Sequence, residues 1–267
     1  MRVVAITGAS AGIGRATALR LARDGSALAL CARRMDRLES VADDVRRAGG
    51  NVLALAADVS LPDAMERFVA ATVERFGRLD VMMCNAGFGL AGAIDEISAE
   101  QMKALVDVNY LGTFYAARAA LPQFRRQASG HLIVVSSIVG KRGVPYMGAY
   151  AATKFAQVGM AECLRSEVAG SNIHVSVVYP VSTETEFFEV MSRETGTAVT
   201  RAGGPRQDAS VVADAIARTI DHPTPEVFPH AKSRALVWLN AVAPGFTDRI
   251  VKRFGRKPVW PDTGTSA

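Results

Sequence analysis

A doubly wound α/β domain, with a parallel sheet of about seven strands and helices on both faces, is the fold class this sequence predicts. Three observations predict it. Short apolar runs rich in β-forming residues alternate with stretches whose apolar positions recur three and four apart, the pattern of right-handed strand-helix-strand units. The runs are almost continuously apolar, as a sheet covered on both faces requires. Finally, 267 residues, 49% hydrophobic and 21% charged, suffice for one large core and carry no mark of disorder.

Strands are expected at 3–7, 27–32, 52–56, 81–84, 131–136 and 175–179, and helices at 13–23, 37–48, 62–76, 99–125 and 149–169. Pro62 falls in a first helical turn, where a missing N–H costs nothing, and Gly49, Gly50 and Gly77 fall where helices should stop. After Pro180 the period is lost, and residues 181–206 read as a mobile lid of loop or short helices over a pocket. A helix at 209–220 and a strand at 226–228 resume the alternation. The segment at 232–256 is apolar-rich, but Pro244 and Gly245 should break it, and it cannot span a bilayer. One domain over 1–258, with a flexible tail at 259–267, is therefore expected.

Composition excludes several classes of function. Cys31, Cys84 and Cys163 lie far apart, so neither a disulfide framework nor a zinc site is indicated, and all three read as small buried hydrophobes. His131, His174, His222 and His230 lack the spacing of metal ligands on one helical face, so no metal is expected. The net charge of +5 is spread along the chain, which fits a solvated surface and a phosphate pocket better than nucleic-acid binding. The first apolar run meets Gly8 too early for a secretory signal, so cytoplasmic residence is the default.

The first strand runs into a helix through Gly8, Ser10, Gly12, Ile13 and Gly14. Small residues there let the backbone approach a ligand, and the helix N-terminus offers N–H groups to a pyrophosphate. The spacing is not Gly-x-Gly-x-x-Gly, and a glycine-rich turn also has a purely structural reading. The second strand sharpens the case. An acid at its end would hold a free ribose 2′-hydroxyl, but this chain has Arg33 and Arg34, whose guanidinium forks suit a 2′-phosphate. NADP(H) is thus favoured over NAD(H), with Ser10 as a further donor.

Tyr150 and Lys154 lie four apart in an expected helix, so both side chains leave the same face. A nearby ammonium stabilises a phenolate and moves it toward a pKa useful for proton transfer. The pair alone is common in ordinary helices, but here Ser136 and Ser137 stand at the end of the preceding strand, beside the crevice where α/β sheets bind ligands.

Taken in order, Thr7, Gly8, Gly12, Ile13, Gly14, Asp58, Val59, Asn85, Ala86, Gly87, Asn109, Ser137, Tyr150 and Lys154 resemble the short-chain dehydrogenase/reductase family over nearly the whole chain. The resemblance implies a Rossmann-type domain and an NADP(H)-dependent oxidoreductase. Tyr150 would be the general acid in reduction and the base in oxidation. Ser137 would bond the same substrate oxygen, being at the family's usual distance from the tyrosine, while Ser136 should point into the sheet. Lys154 would hold the nicotinamide ribose and depress the tyrosine's pKa, and Asn109 would support a proton-relaying water. Asp58 and Val59 would frame the adenine, with Asn85, Ala86 and Gly87 packed on the cofactor. Pro180 and Thr185 complete the cofactor set, although Val181 stands where the family usually has glycine.

The lid residues Phe187, Phe188, Val190 and Met191, with Val139, Val144, Tyr146 and Met147, favour a lipophilic ketone, aldehyde or secondary alcohol. Lys141 and Arg142 would either receive a substrate anion or face solvent. The alternative to an enzyme is a non-catalytic NADP(H)-sensing or scaffold protein on the same fold. The C-terminal segment, with Leu236, Phe246, Ile250 and Phe254 beside Lys252, Arg253, Arg256 and Lys257, would pack on the core, on a partner subunit or on a membrane surface. Family members are commonly homodimers or homotetramers, and the same is expected here.

Overall fold

Seven parallel strands grow outward in both directions from β1 (Val3–Thr7), which is buried along its whole length. The computed structural model describes residues 1–196, 199 and 206–252. In it the sheet consists of β1, β2 (Ala27–Ala32), β3 (Asn51–Ala56), β4 (Val81–Cys84), β5 (Gly130–Val135), β6 (Ile173–Val178) and β9 (Glu226–Val227). Across the sheet the order is β3-β2-β1-β4-β5-β6-β9, and every pairing is parallel. Parallel neighbours cannot be joined by tight turns, so each connection crosses over a face.

Strand side chains alternate between two cores, as the pleat requires. On one face Val4, Ile6, Met83 and Ile133 pack with Leu21 of α1 (Gly12–Arg23), Leu38 and Val41 of α2 (Met35–Arg47) and Val212 and Ile216 of α8 (Ala209–Asp221). On the other, Ala5, Met82, Leu132 and Val134 pack with Met65 and Phe68 of α3 (Pro62–Phe76), Phe124 of α5 (Gly112–Arg126) and Val158 and Leu164 of α6 (Gly148–Glu167). Each large side chain buried here contributes roughly 1.5–3 kcal/mol. The predicted α/β class is therefore the observed one, with element ends within about two residues of expectation.

Three elements differ. The stretch 99–125, expected as one helix, is α4 (Ala99–Val106), then a π-helical turn over Asp107–Leu111, then α5. The extra residue in that turn rotates Asn109 into the interior, and no break in the apolar period announces it. The stretch after β6, expected as loop or short helices, contains the short helix α7 (Phe187–Thr195) but also β7 (Ser182–Glu184), which pairs with β8 (Arg206–Asp208) in a second, two-stranded sheet. Strands of three residues are too short to show a period. Residues 197, 198 and 200–205 of the lid lie outside the described residues, as do Arg253, Phe254, Arg256, Lys257 and the tail at 259–267.

Cys163 is the third difference, since it is exposed while Cys31 and Cys84 are buried. It lies two positions beyond buried Ala161, turned roughly 200° around the helix and away from the sheet. At the C-terminal end, α9 (Ser233–Val242) and α10 (Pro244–Val251) are separated at Ala243, with Pro244 in a first turn as its fixed φ allows. No helix among the described residues is long and apolar enough to cross a membrane.

Candidate active site

Because all seven strands point the same way, their C-terminal ends meet along one edge, and the chain reverses direction across the sheet between β1 and β4. A cavity of about 980 Å³ opens there. It is lined by Gly8, Ser10, Gly12, Ile13, Arg33, Arg34, Asp58, Val59, Asn85, Ala86, Gly87, Ser137, Tyr150, Lys154, Pro180 and Thr185, all singled out from the sequence. Gly14 and Asn109, also singled out, do not line it.

The end of β1 is stitched to the end of β4. Thr7 Oγ1 accepts from the backbone N–H groups of Asn85 at 3.0 Å and Ala86 at 3.1 Å, and Asn85 Nδ2 donates back to the carbonyls of Thr7 and Gly8. Gly8 adopts φ +66°, and a Cβ there would come within 2.7 Å of Ala86 Cα. A Cβ on Gly14 would approach Asn85 Nδ2 to 2.7 Å, so this glycine serves the packing of the turn. α1 starts at Gly12 with Ala11 as its N-cap and no side chain on its first N–H groups, leaving those donors and the positive dipole end for an anion at the cavity edge. Arg33 is exposed and has no ion pair among the described residues, whereas Arg34 lies 3.8 Å from Glu186. The carboxylate of Asp58 accepts from both the N–H and the hydroxyl of Ser60, fixing the turn at the end of β3.

In the other half of the cavity the Tyr150 hydroxyl stands beside the Ser137 side chain. The hydroxyl of Ser136 is buried and donates to the carbonyl of Lys154 at 3.1 Å. The two adjacent serines thus have separate partners because neighbouring side chains at a strand end point opposite ways. The Lys154 ammonium donates to the carbonyl of Val135 at 3.0 Å and stands 5.6 Å from the centroid of the Tyr150 ring. Burial governs both groups. It lowers the ammonium to about 7 and pushes the phenol above its usual value, an upward push that the neighbouring Ser137 hydroxyl only partly offsets. Nζ thus lies over the tyrosine ring while it is hydrogen-bonded to the backbone at the end of β5.

Asn109 is fully buried. Its amide oxygen accepts from the Phe88 N–H at 3.0 Å, and its amide nitrogen donates to the Phe88 carbonyl and to Thr153 Oγ1. Thr153 in turn donates to the carbonyl of Tyr150, and Gln157 donates to the carbonyl of Asn109. This network, which sequence reasoning missed, ties the π-helical turn to the helix that carries Tyr150 and Lys154. Its only advance sign is that Thr153 and Gln157 stand three and seven residues past Tyr150, on one helical face.

Val181, where family members usually have glycine, is absent from the residues with positive φ, so its backbone path needs no glycine, and its side chain is nearly buried. Tyr146, in the loop before α6, does adopt φ +63°, a strained value for an aromatic residue, and its carbonyl accepts from Gly92 N–H. Lys141 and Arg142 are neither free for a substrate anion nor solvent-facing. Lys141 pairs with Glu226 at 2.6 Å, and Arg142 pairs with Asp248 of α10 and donates to Asn240 of α9. The hairpin held by Arg142 supplies Leu236, Ile250 and Val251 to the cavity wall. Above Tyr150, the ring of Phe187 lies 5.4 Å away, centroid to centroid.

Residues 2–196 match the family profile described as short chain dehydrogenase. The chain belongs to the short-chain dehydrogenase family. An uncharacterized oxidoreductase of Listeria innocua is 34% identical over 223 residues, covering 80% of this chain and 90% of the relative. Among solved structures, an alcohol dehydrogenase from Thermococcus sibiricus complexed with 5-hydroxy-NADP is 33% identical, with a TM-score of 0.76 over 85% of this chain and 95% of that one. A short chain dehydrogenase/reductase from Burkholderia phymatum in complex with NAD is 25% identical, with a TM-score of 0.83 over 97% of each chain. The chain is thus an oxidoreductase-family protein whose structural neighbours hold nicotinamide dinucleotides of both kinds.

Proposed function

We propose that this protein is an NADP(H)-dependent oxidoreductase that interconverts a lipophilic ketone or aldehyde and its alcohol, with Tyr150 as general acid and base. One observation carries the reading: the phenol of Tyr150 and the hydroxyl of Ser137 stand beside each other in the wall of one cavity, with the buried Lys154 next to them. The residues fit the cofactor. The uncapped start of α1 suits a pyrophosphate, Arg33, exposed and with no ion pair among the described residues, suits a 2′-phosphate, and the cavity is at the upper end of the usual size for ligand sites, about 300–1,000 Å³. When bound, the nicotinamide supplies or accepts the hydride.

The chain's own task is to place the carbonyl and manage one proton. During reduction the phenol of Tyr150 gives its proton to the carbonyl oxygen, and Ser137 donates a hydrogen bond to that oxygen as charge develops. The raised pKa of Tyr150 keeps the acid form loaded at neutral pH. Lys154, lowered to about 7, exchanges protons readily in the same range and can restore the tyrosine. Asn109 acts from behind the cavity wall. A Cβ built on Gly87 falls 2.9 Å from Asn109 Oδ1 and 3.7 Å from Lys154 Nζ, so both atoms border one small space, which supports the proton-relay role. Phe187, Phe188, Val144, Leu236 and Val251 around the opening favour an apolar substrate body.

The same reading takes residues 1–258 as one catalytic domain in a cytoplasmic homodimer or homotetramer. Exposed Phe114 and Phe155, on α5 and α6, are available to a partner copy. The test is NADPH oxidation with a panel of aldehydes and ketones, comparing wild type with Tyr150→Phe. Turnover that the substitution abolishes supports the enzyme. Cofactor binding without turnover on any substrate supports the sensor or scaffold instead.

A further inference from the structure

The proposed cofactor site leaves one charged contact unexplained. Glu186, between Thr185 and the first residue of α7, places both carboxylate oxygens 2.7 Å from one terminal nitrogen of Arg37 on α2. Its carboxylate also lies 3.8 Å from Arg34. Glu186 lines the cavity together with Ser10, Arg33 and Arg34. A negative charge from the lid therefore pairs with Arg37 and stands within 4 Å of Arg34, one of the two guanidinium groups read as the 2′-phosphate site, with the other, Arg33, in the same cavity wall.

Such a carboxylate has two consequences for a ligand. A 2′-phosphate carries between one and two negative charges at neutral pH, so it meets Glu186 as a like charge and must compete with it for Arg34 and Arg37. A free 2′-hydroxyl suffers neither effect and can donate a hydrogen bond to the same oxygen. An ion pair this exposed, with side chains 45% and 40% accessible, holds the lid only weakly, so its charge at the site matters more than its strength as a strap.

We propose that Glu186 is a specificity-determining residue that tempers the site's preference for 2′-phosphorylated nucleotides and gives a free 2′-hydroxyl an acceptor. The proposal rests on the reading of Arg33 and Arg34 as the 2′-phosphate site. It predicts a site that accepts both forms of the dinucleotide, with discrimination adjustable at one lid position.

The experiment is isothermal titration of the full chain with 2′,5′-ADP and with 5′-AMP, which differ only in the 2′-phosphate. Wild type, Glu186→Gln, Glu186→Ala and Arg33→Ala are compared, each first shown to melt cooperatively. Removing the carboxylate is expected to tighten 2′,5′-ADP by about three- to tenfold, as loss of one like charge near the surface allows, without tightening 5′-AMP. Arg33→Ala is expected to shrink the difference between the two ligands. An unchanged ratio in both Glu186 variants, or equal weakening of both ligands, would overturn the proposal and leave Glu186 a simple clasp. A ratio unaffected by Arg33→Ala would instead overturn the 2′-phosphate reading itself.

Discussion

Asn109 and Phe88 exchange two hydrogen bonds, the Phe88 N–H donating to Oδ1 at 3.0 Å and Nδ2 donating to the Phe88 carbonyl at 2.9 Å. The side chain of one residue thus satisfies both backbone groups of another, on a segment that has no strand or helix neighbour to do so. Phe88 follows Gly87, so this pairing sets the height of the cavity floor beside Lys154.

Asn109→Ala removes all three amide bonds at a fully buried position. Stability should fall by about 2–4 kcal/mol, since the Phe88 N–H and carbonyl are left unpaired. Urea denaturation measures this directly. Turnover should fall with it, because the floor under the reacting groups is no longer fixed.

Lys154 predicts a trade between stability and activity. Its ammonium is nearly inaccessible and is held at about 7 by burial, so below that pH the folded protein carries an uncompensated buried charge. Lys154→Met should stabilise the ligand-free protein by on the order of 2 kcal/mol at pH 6 while abolishing turnover. The sign follows from linkage. The folded pKa lies below the unfolded one, so wild type gains stability as pH rises from about 7 toward about 10, and the advantage of the variant should fade over that window. Thermal melts at pH 6 and pH 9 check it, and an advantage that grows with pH would refute it.

Thiol chemistry should distinguish the cysteines. Cys163 is exposed, whereas burial raises the thiols of Cys31 and Cys84, the latter to about 12. Native protein should therefore react with one equivalent of a thiol reagent quickly and with two more only on unfolding. Cys163→Ser should erase the fast phase.

Arg142 joins the loop after β5 to both C-terminal helices, so its loss should loosen one wall of the cavity and leave the reacting groups in place. Arg142→Ala is expected to raise KM for bulky carbonyl substrates by about tenfold, with kcat changed by less than about threefold. Steady-state kinetics on a small and a large substrate separates the two effects.

The parts of this fold that were legible in the sequence are those that repeat. Val3, Val4, Ala5 and Ile6 announce a strand because each is apolar and buried, and Tyr150 and Lys154 announce a shared helical face by spacing alone. What stayed hidden depends on single contacts across the chain. The π-helical turn places Asn109 against Phe88, 21 residues away, and no local pattern encodes that partner. Likewise Arg142 reads as a loop cation until Asp248, 106 residues on, is folded against it. For a related reason the spacing of Tyr150 and Lys154 gives their proximity but says nothing of the desolvation that acts on both.

Leu236, Ile250 and Val251 wall the cavity, yet all three lie past residue 196, where the family match ends. Under the proposed function, part of the wall that would meet the substrate therefore lies in a stretch of polypeptide that the family match does not cover. A chimaera keeping residues 1–196 and borrowing another member's ending should move the same proton and accept a different molecule.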